Sequence, residues 1–321
     1  MATNHIQKVA IVGATGQQGT HIVRELLKTG KHTVTAITRK DSLNKSFPRG
    51  VEVAPIDYES PDTIVNALKG QDCLIITMNV TAPRDTSAKL VEAAAKAGVS
   101  WILPNEWGLD TADIEFGKQA VLGPANVAVR ERINELGVSS WIAIACSFWY
   151  EYSLGSMAEA YGFDLQKREA TFFDDGTQKI NTSTWEQTAR AVAGLLSLDT
   201  ATLEKDWKNK FAYVSSFLVS QKDMLESLKR VTGTSDDDWK ISYQKGSERY
   251  AEGIKAMKEG NRLGFVKAMY TRTFYPSGEG NFELKHTLAN KVLGLPEEDL
   301  DSCTKGAIER SNMIALEKAQ K

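Results

Sequence analysis

The chain has 321 residues, of which 42% are hydrophobic and 25% are charged, and its formal net charge is −2. This composition is ordinary for a globular protein and excludes extensive disorder. It also argues against a nucleic-acid partner, because there is no excess of positive charge. No apolar run reaches the roughly 18 residues of a membrane-spanning helix, so we expect no membrane insertion. A chain of this length suits two domains.

The cysteines and histidines are too few and too scattered to predict a disulfide framework or a metal site. The chain contains three cysteines and four histidines, at positions Cys73, Cys146 and Cys303 and His5, His21, His32 and His286. The N-terminal residues do not resemble a secretory signal. We therefore expect a cytoplasmic protein with reduced thiols and no bound metal.

The first half of the chain alternates short apolar runs with helical patterns. The predicted strands are 8–13, 33–38, 51–56, 73–77, 101–103 and 141–146. The predicted helices between them end at Gly30, Gly70, Gly98 and Gly137, where glycine favours helix termination. Strands that alternate with helices in this way predict right-handed crossovers and a doubly wound parallel sheet of the α/β class.

The second half is less regular. Residues 182–187 offer two overlapping capping boxes, Ser183 with Glu186 and Thr184 with Gln187, ahead of an amphipathic helix. Residues 211–219 are predicted to form one strand and residues 223–230 a helix, whereas 235–282 is polar and aromatic without a clear pattern. We expect a first domain over residues 1–153 and a smaller α/β domain over 154–321, with the chain crossing back to the first domain around 182–220.

A glycine-rich loop directly follows the first strand and opens the first helix. It reads Gly13-Ala14-Thr15-Gly16-Gln17-Gln18-Gly19. The first glycine permits a tight turn, the second lets the backbone approach a pyrophosphate, and the third lets the helix pack closely on the strand. The free N–H groups of the helix N-terminus then bind the phosphate charge. This order of strand, loop and helix predicts a Rossmann-type dinucleotide site.

The residue that ends the second strand of such a fold distinguishes NADP(H) from NAD(H). Here the strand runs into Arg39 and Lys40, and two cations would attract a 2′-phosphate. We therefore predict NADP(H), although Asp41 follows at once and leaves NAD(H) open. Further cofactor contacts are expected at the ends of the third and fourth strands, from Asp57, Met78 and Asn79.

The chain contains no standard catalytic pair but several family-like segments. None of the nine tyrosines is followed four residues later by lysine, so the usual Tyr-x-x-x-Lys pair is absent. The loop 13–19 and the segments 104–108 and 129–137 instead resemble the NmrA-like and isoflavone-reductase-like families. The segments 147–152, 172–176 and 180–184 resemble a fungal, CipA-like oxidoreductase branch.

This resemblance implies an NADPH-dependent reductase, but the proton donor stays open. The plant enzymes of the family use a lysine that would align near Asn126, where no lysine stands; Lys118 is the one lysine between residues 100 and 150. The other candidates for the proton donor are Tyr150 and Tyr152, which follow the sixth strand. A substrate that needs no protein acid is a further alternative.

Bulky aromatic residues are expected around the cleft at the carboxyl end of the sheet. Asn105, Trp107, Phe148 and Trp149 are the candidate substrate contacts, and such a lining suits a flat aromatic or polyketide-like metabolite. The leading hypothesis is a reductase of such a small molecule in secondary metabolism. The alternative is a non-catalytic NAD(P) sensor, which the resemblance also allows. The sequence does not reveal the oligomeric state.

Overall fold

The computed structural model describes residues 4–42, 46–79, 82–83 and 85–320. Its main element is a seven-stranded sheet in which every neighbouring pair is parallel, in the order β11-β6-β5-β4-β1-β2-β3. The strands are β1 (Lys8–Val12), β2 (Thr33–Arg39), β3 (Val51–Ile56), β4 (Cys73–Ile76), β5 (Trp101–Leu103), β6 (Ser140–Ala145) and β11 (Lys210–Tyr213). The order 3-2-1-4-5-6 of the first six is that of a Rossmann sheet, so the predicted fold class is confirmed.

Helices cover both faces of this sheet. They are α1 (Gln17–Thr29), α2 (Pro61–Leu68), α3 (Thr86–Ala97), α4 (Ile114–Gln119), α5 (Gly123–Leu136), α7 (Trp185–Leu196) and the short α8 (Thr200–Thr202), of which α4 lies in the loop after β5. Val9 and Ile11 of β1 pack with α1 and α7 on one face, whereas Ala10 and Val12 pack with α2, α3 and α5 on the other. Burial on both faces explains why the central strands are continuous apolar runs.

One predicted strand is wrong. Residues 211–219 form two strands in different sheets, β11 and β12 (Phe217–Val219). The chain turns at Ser215 and Ser216, and the N–H of Ser216 donates to the carbonyl of Thr182 while the N–H of Val214 donates to that of Ala145. Because successive residues bond to strands of different sheets, one continuous ladder is impossible.

The remaining elements form a second layer beside the carboxyl end of the sheet. A three-stranded sheet has the order β12-β10-β7, and another has the order β13-β9-β8. The strands are β7 (Phe148–Trp149), β8 (Phe163–Asp164), β9 (Glu169–Phe173), β10 (Ile180–Ser183) and β13 (Lys240–Gln244). The helices are α6 (Tyr150–Ser156), α9 (Gln221–Thr232), α10 (Gly246–Lys258), α11 (Arg262–Thr273) and α12 (Leu300–Ala319).

The C-terminal helix α12 is held firmly against α6 and α9. Gly155 of α6 packs so closely on α12 that a Cβ there would lie 2.3 Å from the carbonyl oxygen of Ala307. The Thr304 hydroxyl is 2.8 Å from that of Tyr150 and 2.7 Å from that of Ser227 on α9. Among the described residues, no helix is long and apolar enough to cross a membrane, and no cluster of metal-ligating side chains occurs.

Candidate nucleotide and substrate site

The loop between β1 and α1 has the close contacts that its glycines predict. Gly13 has φ +83°, and a Cβ there would lie 2.0 Å from the carbonyl oxygen of Thr77 at the end of β4. A Cβ at Gly19 would lie 2.1 Å from the carbonyl oxygen of Gly13. The loop closes on itself through a 2.8 Å hydrogen bond from the N–H of Gly16 to the same carbonyl. Larger residues at Gly13 or Gly19 would therefore push the loop off the sheet.

The N-terminus of α1 is open to an anion. Its N-cap is Gly16, no side chain caps the helix, and its first turn holds no acidic residue. Thr15 lies on the same loop, one residue before the cap. A helix N-terminus leaves N–H groups without intrahelical acceptors and carries partial positive charge. The loop and this helix end therefore fit a dinucleotide pyrophosphate.

The predicted 2′-phosphate contacts lie at the surface end of β2. Arg39 is the last residue of β2, and its Nε lies 3.4 Å from a carboxylate oxygen of Asp41. Lys40 and Asp41 are exposed in the short turn that follows. At the end of β3, the Asp57 carboxylate accepts from the N–H of Glu59 and so stabilises its own turn. Arg39, Lys40 and Asp41 thus lie together at the exposed end of β2.

Two predicted substrate contacts use their polar atoms to fix the backbone. The Asn105 amide accepts from the N–H of Met78 at 2.9 Å and donates to its carbonyl at 3.2 Å. The Trp107 indole N–H donates to the carbonyl of Ile76 at 2.7 Å. Both side chains therefore join β4 to the loop after β5. They position Met78, while Asn79 next to it is exposed.

A buried ion pair lies behind this rim. Arg130 of α5 donates to the Glu106 carboxylate and, at 3.2 Å, to the carbonyl of Thr111. The Thr111 hydroxyl donates to the same carboxylate oxygen. Asp110 is also buried and accepts from the Tyr213 hydroxyl at 3.0 Å. We refer to Glu106, Thr111 and Arg130 as the Glu106 cluster; its main charges are paired with each other.

The structure separates the three candidate proton donors. Lys118 is exposed on α4, with Nζ 3.9 Å from a Glu115 carboxylate oxygen. Tyr150 is fully buried, which raises the pKa of its phenol, and its hydroxyl is hydrogen-bonded to Thr304. Of the three, Tyr152 lies next to Trp185, whose backbone carbonyl contacts Gln18 of the glycine loop.

Four rings form an aromatic group next to the loop, which we call the Trp185 cluster. Trp185 is the first residue of α7, and its ring centroid lies 5.9 Å from that of His21, 6.2 Å from that of Trp149 and 6.2 Å from that of Tyr152. Its carbonyl accepts from the Gln18 amide at 3.4 Å. Phe148, by contrast, is buried and stacks on Tyr270 with a centroid distance of 3.7 Å. The predicted aromatic lining is thus divided between the Trp185 cluster and the core.

Several buried polar atoms at and near this cluster form no hydrogen bond within the described residues. In the described part of the chain they include Gln18 Oε1, His21 Nδ1, Trp149 Nε1, Trp185 Nε1 and Glu151 Oε2. Burial also raises the pKa of Glu151 to about 7, and the carboxylates of Glu298 and Glu186 contribute to the shift. Buried polar groups without partners are rare in folded proteins, so their concentration here makes this region a candidate ligand site.

The site contains three residues that were not predicted from the sequence, Glu151, Trp185 and Arg310. Arg310 of α12 donates through Nε to the Ser156 hydroxyl at 2.7 Å, and its guanidinium lies 4.6 Å from the centroid of the Tyr152 ring. Glu151 could have been recognised as a site residue, because it stands between two tyrosines directly after a buried strand. No local pattern could have shown that a residue near the C-terminus reaches the first helix.

The sheet order and the glycine loop define a dinucleotide-binding Rossmann protein, and comparisons with known proteins identify the family. Residues 5–261 match the NmrA-like family, so the chain belongs to it. Oxidoreductase aprR of Aspergillus flavus is 29% identical over 298 residues, covering 92% of this chain and 96% of that protein. Oxidoreductase poxI of Penicillium oxalicum is 25% identical over 309 residues, covering 92% and 91%.

The fold also matches solved structures of similar length. The structure of AtPrR2 with NADP+ and (+)pinoresinol has a TM-score of 0.77 at 19% identity, and the match covers 95% of this chain and 99% of AtPrR2. The predicted family and the oxidoreductase class are therefore confirmed.

Proposed function

We propose that this protein is an NADPH-dependent reductase of a flat aromatic or polyketide-like small molecule. The observation that carries the proposal is the open N-terminus of α1 directly beside the Trp185 cluster. An anion site for the pyrophosphate and an aromatic surface for a planar substrate thus lie next to each other. The named relatives, two fungal oxidoreductases and a structure that holds NADP+, support the same class.

In this proposal the loop and the strand ends hold the cofactor. The proposed contacts are Gly13, Thr15, Gly16, Gln17, Gln18 and Gly19 at the pyrophosphate, Arg39 and Lys40 at the 2′-phosphate, and Asp57, Met78 and Asn79 along the rim. Two cations at the end of β2 favour NADPH over NADH because Arg39 can grip a 2′-phosphate with two hydrogen bonds. Asn105 and Trp107 act as positioning residues for this rim.

When bound, NADPH supplies a hydride to an electrophilic carbon of the substrate, and the reduction is completed by one proton. Two side chains on the first turn of α6 can deliver that proton, namely Tyr152 and Glu151. Tyr152 faces the Trp185 cluster, and Glu151 carries a buried carboxyl oxygen without a partner in the described chain. The aromatic rings keep water away from the reacting carbon.

The test is NADPH oxidation, followed by absorbance, against a library of aromatic enones, imines and quinones. We expect turnover with at least one planar class, and a fall of about 100-fold for Tyr152→Phe or Glu151→Gln, whichever supplies the proton. Lys118→Ala is the matched control and should retain full turnover, because Lys118 is exposed and paired with Glu115. Tight NADPH binding without turnover on any class would instead indicate a sensor, and absence of binding would refute the proposal.

A further inference from the structure

The C-terminal helix brings a cation to the start of the first helix. Gln17 is the first residue of α1, and in the amide orientation that satisfies both side chains its oxygen accepts from the two terminal nitrogens of Arg310, at 3.2 and 3.3 Å. The guanidinium lies 4.6 Å from the ring centroid of Tyr152 and 5.5 Å from that of Trp185. Arg310 thus connects α12, the Trp185 cluster and the glycine loop.

This guanidinium is positioned rigidly. Its Nε donates to Ser156, and α12 is fixed on α6 by the contacts of Thr304 and Ala307 described above. Gln166 adds hydrogen bonds to Ser311 at 3.0 Å and Asn312 at 2.9 Å, one and two residues beyond Arg310. The match to the NmrA-like family ends at residue 261, so α12 lies outside the matched segment.

Arg310 and the N-terminus of α1 place two positively charged groups side by side. Arg310 is half-buried and forms no ion pair with a carboxylate within the described residues, and burial lowers the pKa of its guanidinium. The positive end of α1 lies beside it without an acidic cap. The buried Trp185 indole N–H also has no acceptor there. A cation placed next to a helix N-terminus is unfavourable unless an anion lies between them.

We propose that Arg310 binds the pyrophosphate of the dinucleotide, so that the C-terminal helix completes the cofactor site. This inference rests on the proposed function. The pyrophosphate is the group expected at the N-terminus of α1, whereas the 2′-phosphate is expected at the end of β2, the strand next to β1. Arg310 should therefore act on NADPH and NADH alike, and Arg39 should distinguish between them.

The experiment measures dissociation constants of NADPH and NADH by calorimetry for the full chain and its variants. Arg310→Gln is expected to weaken both nucleotides about 10- to 100-fold, the effect of a lost charge-assisted hydrogen bond, with an unchanged NADPH-to-NADH ratio. Arg310→Lys should recover part of the loss. Arg39→Ala should weaken NADPH much more than NADH. Lys305→Gln removes an exposed charge from the same helix and should change neither constant.

Two fragments of the dinucleotide distinguish a lost pyrophosphate contact from general damage to the fold. ADP-ribose contains the pyrophosphate, and 2′-AMP contains only the 2′-phosphate end. Arg310→Gln should weaken ADP-ribose and leave 2′-AMP unchanged. Normal affinity for ADP-ribose, or equal losses for both fragments, would overturn this inference while leaving nucleotide binding by the wild-type protein intact. If the wild-type protein binds neither dinucleotide, it is the proposed function that fails.

Discussion

The Glu106 cluster and the surroundings of Arg310 lie at the same end of the sheet and differ in how their charges are satisfied. In the Glu106 cluster, a buried arginine donates to a buried carboxylate and to a backbone carbonyl. Arg310 is half-buried, forms no ion pair in the described chain, and donates only to uncharged partners, the Ser156 hydroxyl and the Gln17 amide oxygen. Paired groups fix the structure, whereas unpaired groups retain the capacity to bind a ligand.

The largest expected effect is loss of the pair in the Glu106 cluster. Arg130→Ala leaves the Glu106 carboxylate buried without its cation and should lower the free energy of unfolding by about 3–5 kcal/mol. Urea unfolding measures this change. Arg132→Ala, two residues along α5, removes exposed pairs with Glu92 and Glu135 and should lower the free energy of unfolding far less than Arg130→Ala. If Arg130→Ala lowered the free energy of unfolding as little as Arg132→Ala, the Glu106 cluster would not stabilise the fold.

The two halves of the chain were also predictable to different degrees. Strands buried on both faces are predictable because they appear in the sequence as apolar runs. Glycines with positive φ, such as Gly30 and Gly137, end helices at the predicted positions. Beyond β6, strands β7 and β8 have two residues each, too few for any periodicity. Helices α10 and α11 were not predicted because their apolar faces are interrupted by polar residues.

The candidate site follows the same division. The glycine loop is local in sequence, so its geometry could be predicted from seven residues. The Trp185 cluster combines His21, Trp149 and Trp185 from separate segments, and Arg310 joins it from a helix near the C-terminus. A capping box correctly marks the start of α7, where Thr184 accepts from the N–H of Gln187. Ser183, the other predicted cap, instead ends β10.

An intermediate effect is expected at Glu151, and it depends on pH. Because the native carboxyl has a pKa near 7, it keeps a proton that the unfolded chain releases near its usual pKa of 4.5. Stability is therefore lost as the pH rises from about 4.5 to about 7. Glu151→Gln should remove this loss and raise the free energy of unfolding above about pH 8 by at most about 3 kcal/mol relative to wild type.

Urea titrations at about pH 5 and about pH 8.5 measure this linkage. The two proteins should differ little at the lower pH, where the native Glu151 is protonated. Glu309→Gln, an exposed change on α12, is the control and should leave the pH dependence of wild type unaltered. If Glu151→Gln did not raise the free energy of unfolding at the higher pH, the Glu151 carboxyl would have to be paired or hydrated. Glu151 would then no longer be a candidate proton donor.

The smallest effect is expected at Tyr150, a predicted proton donor whose hydroxyl forms a hydrogen bond in the structure. The Tyr150 hydroxyl bonds to Thr304, whose hydroxyl also bonds to Ser227, so Thr304 keeps one partner in Tyr150→Phe. This change should cost about 1 kcal/mol of unfolding free energy, the typical net value of one hydrogen bond. It should leave NADPH oxidation unchanged, because the hydroxyl faces α12 and not the Trp185 cluster. A large fall in turnover with an unchanged KM would instead identify Tyr150 as the proton donor, in spite of its hydrogen bond to Thr304.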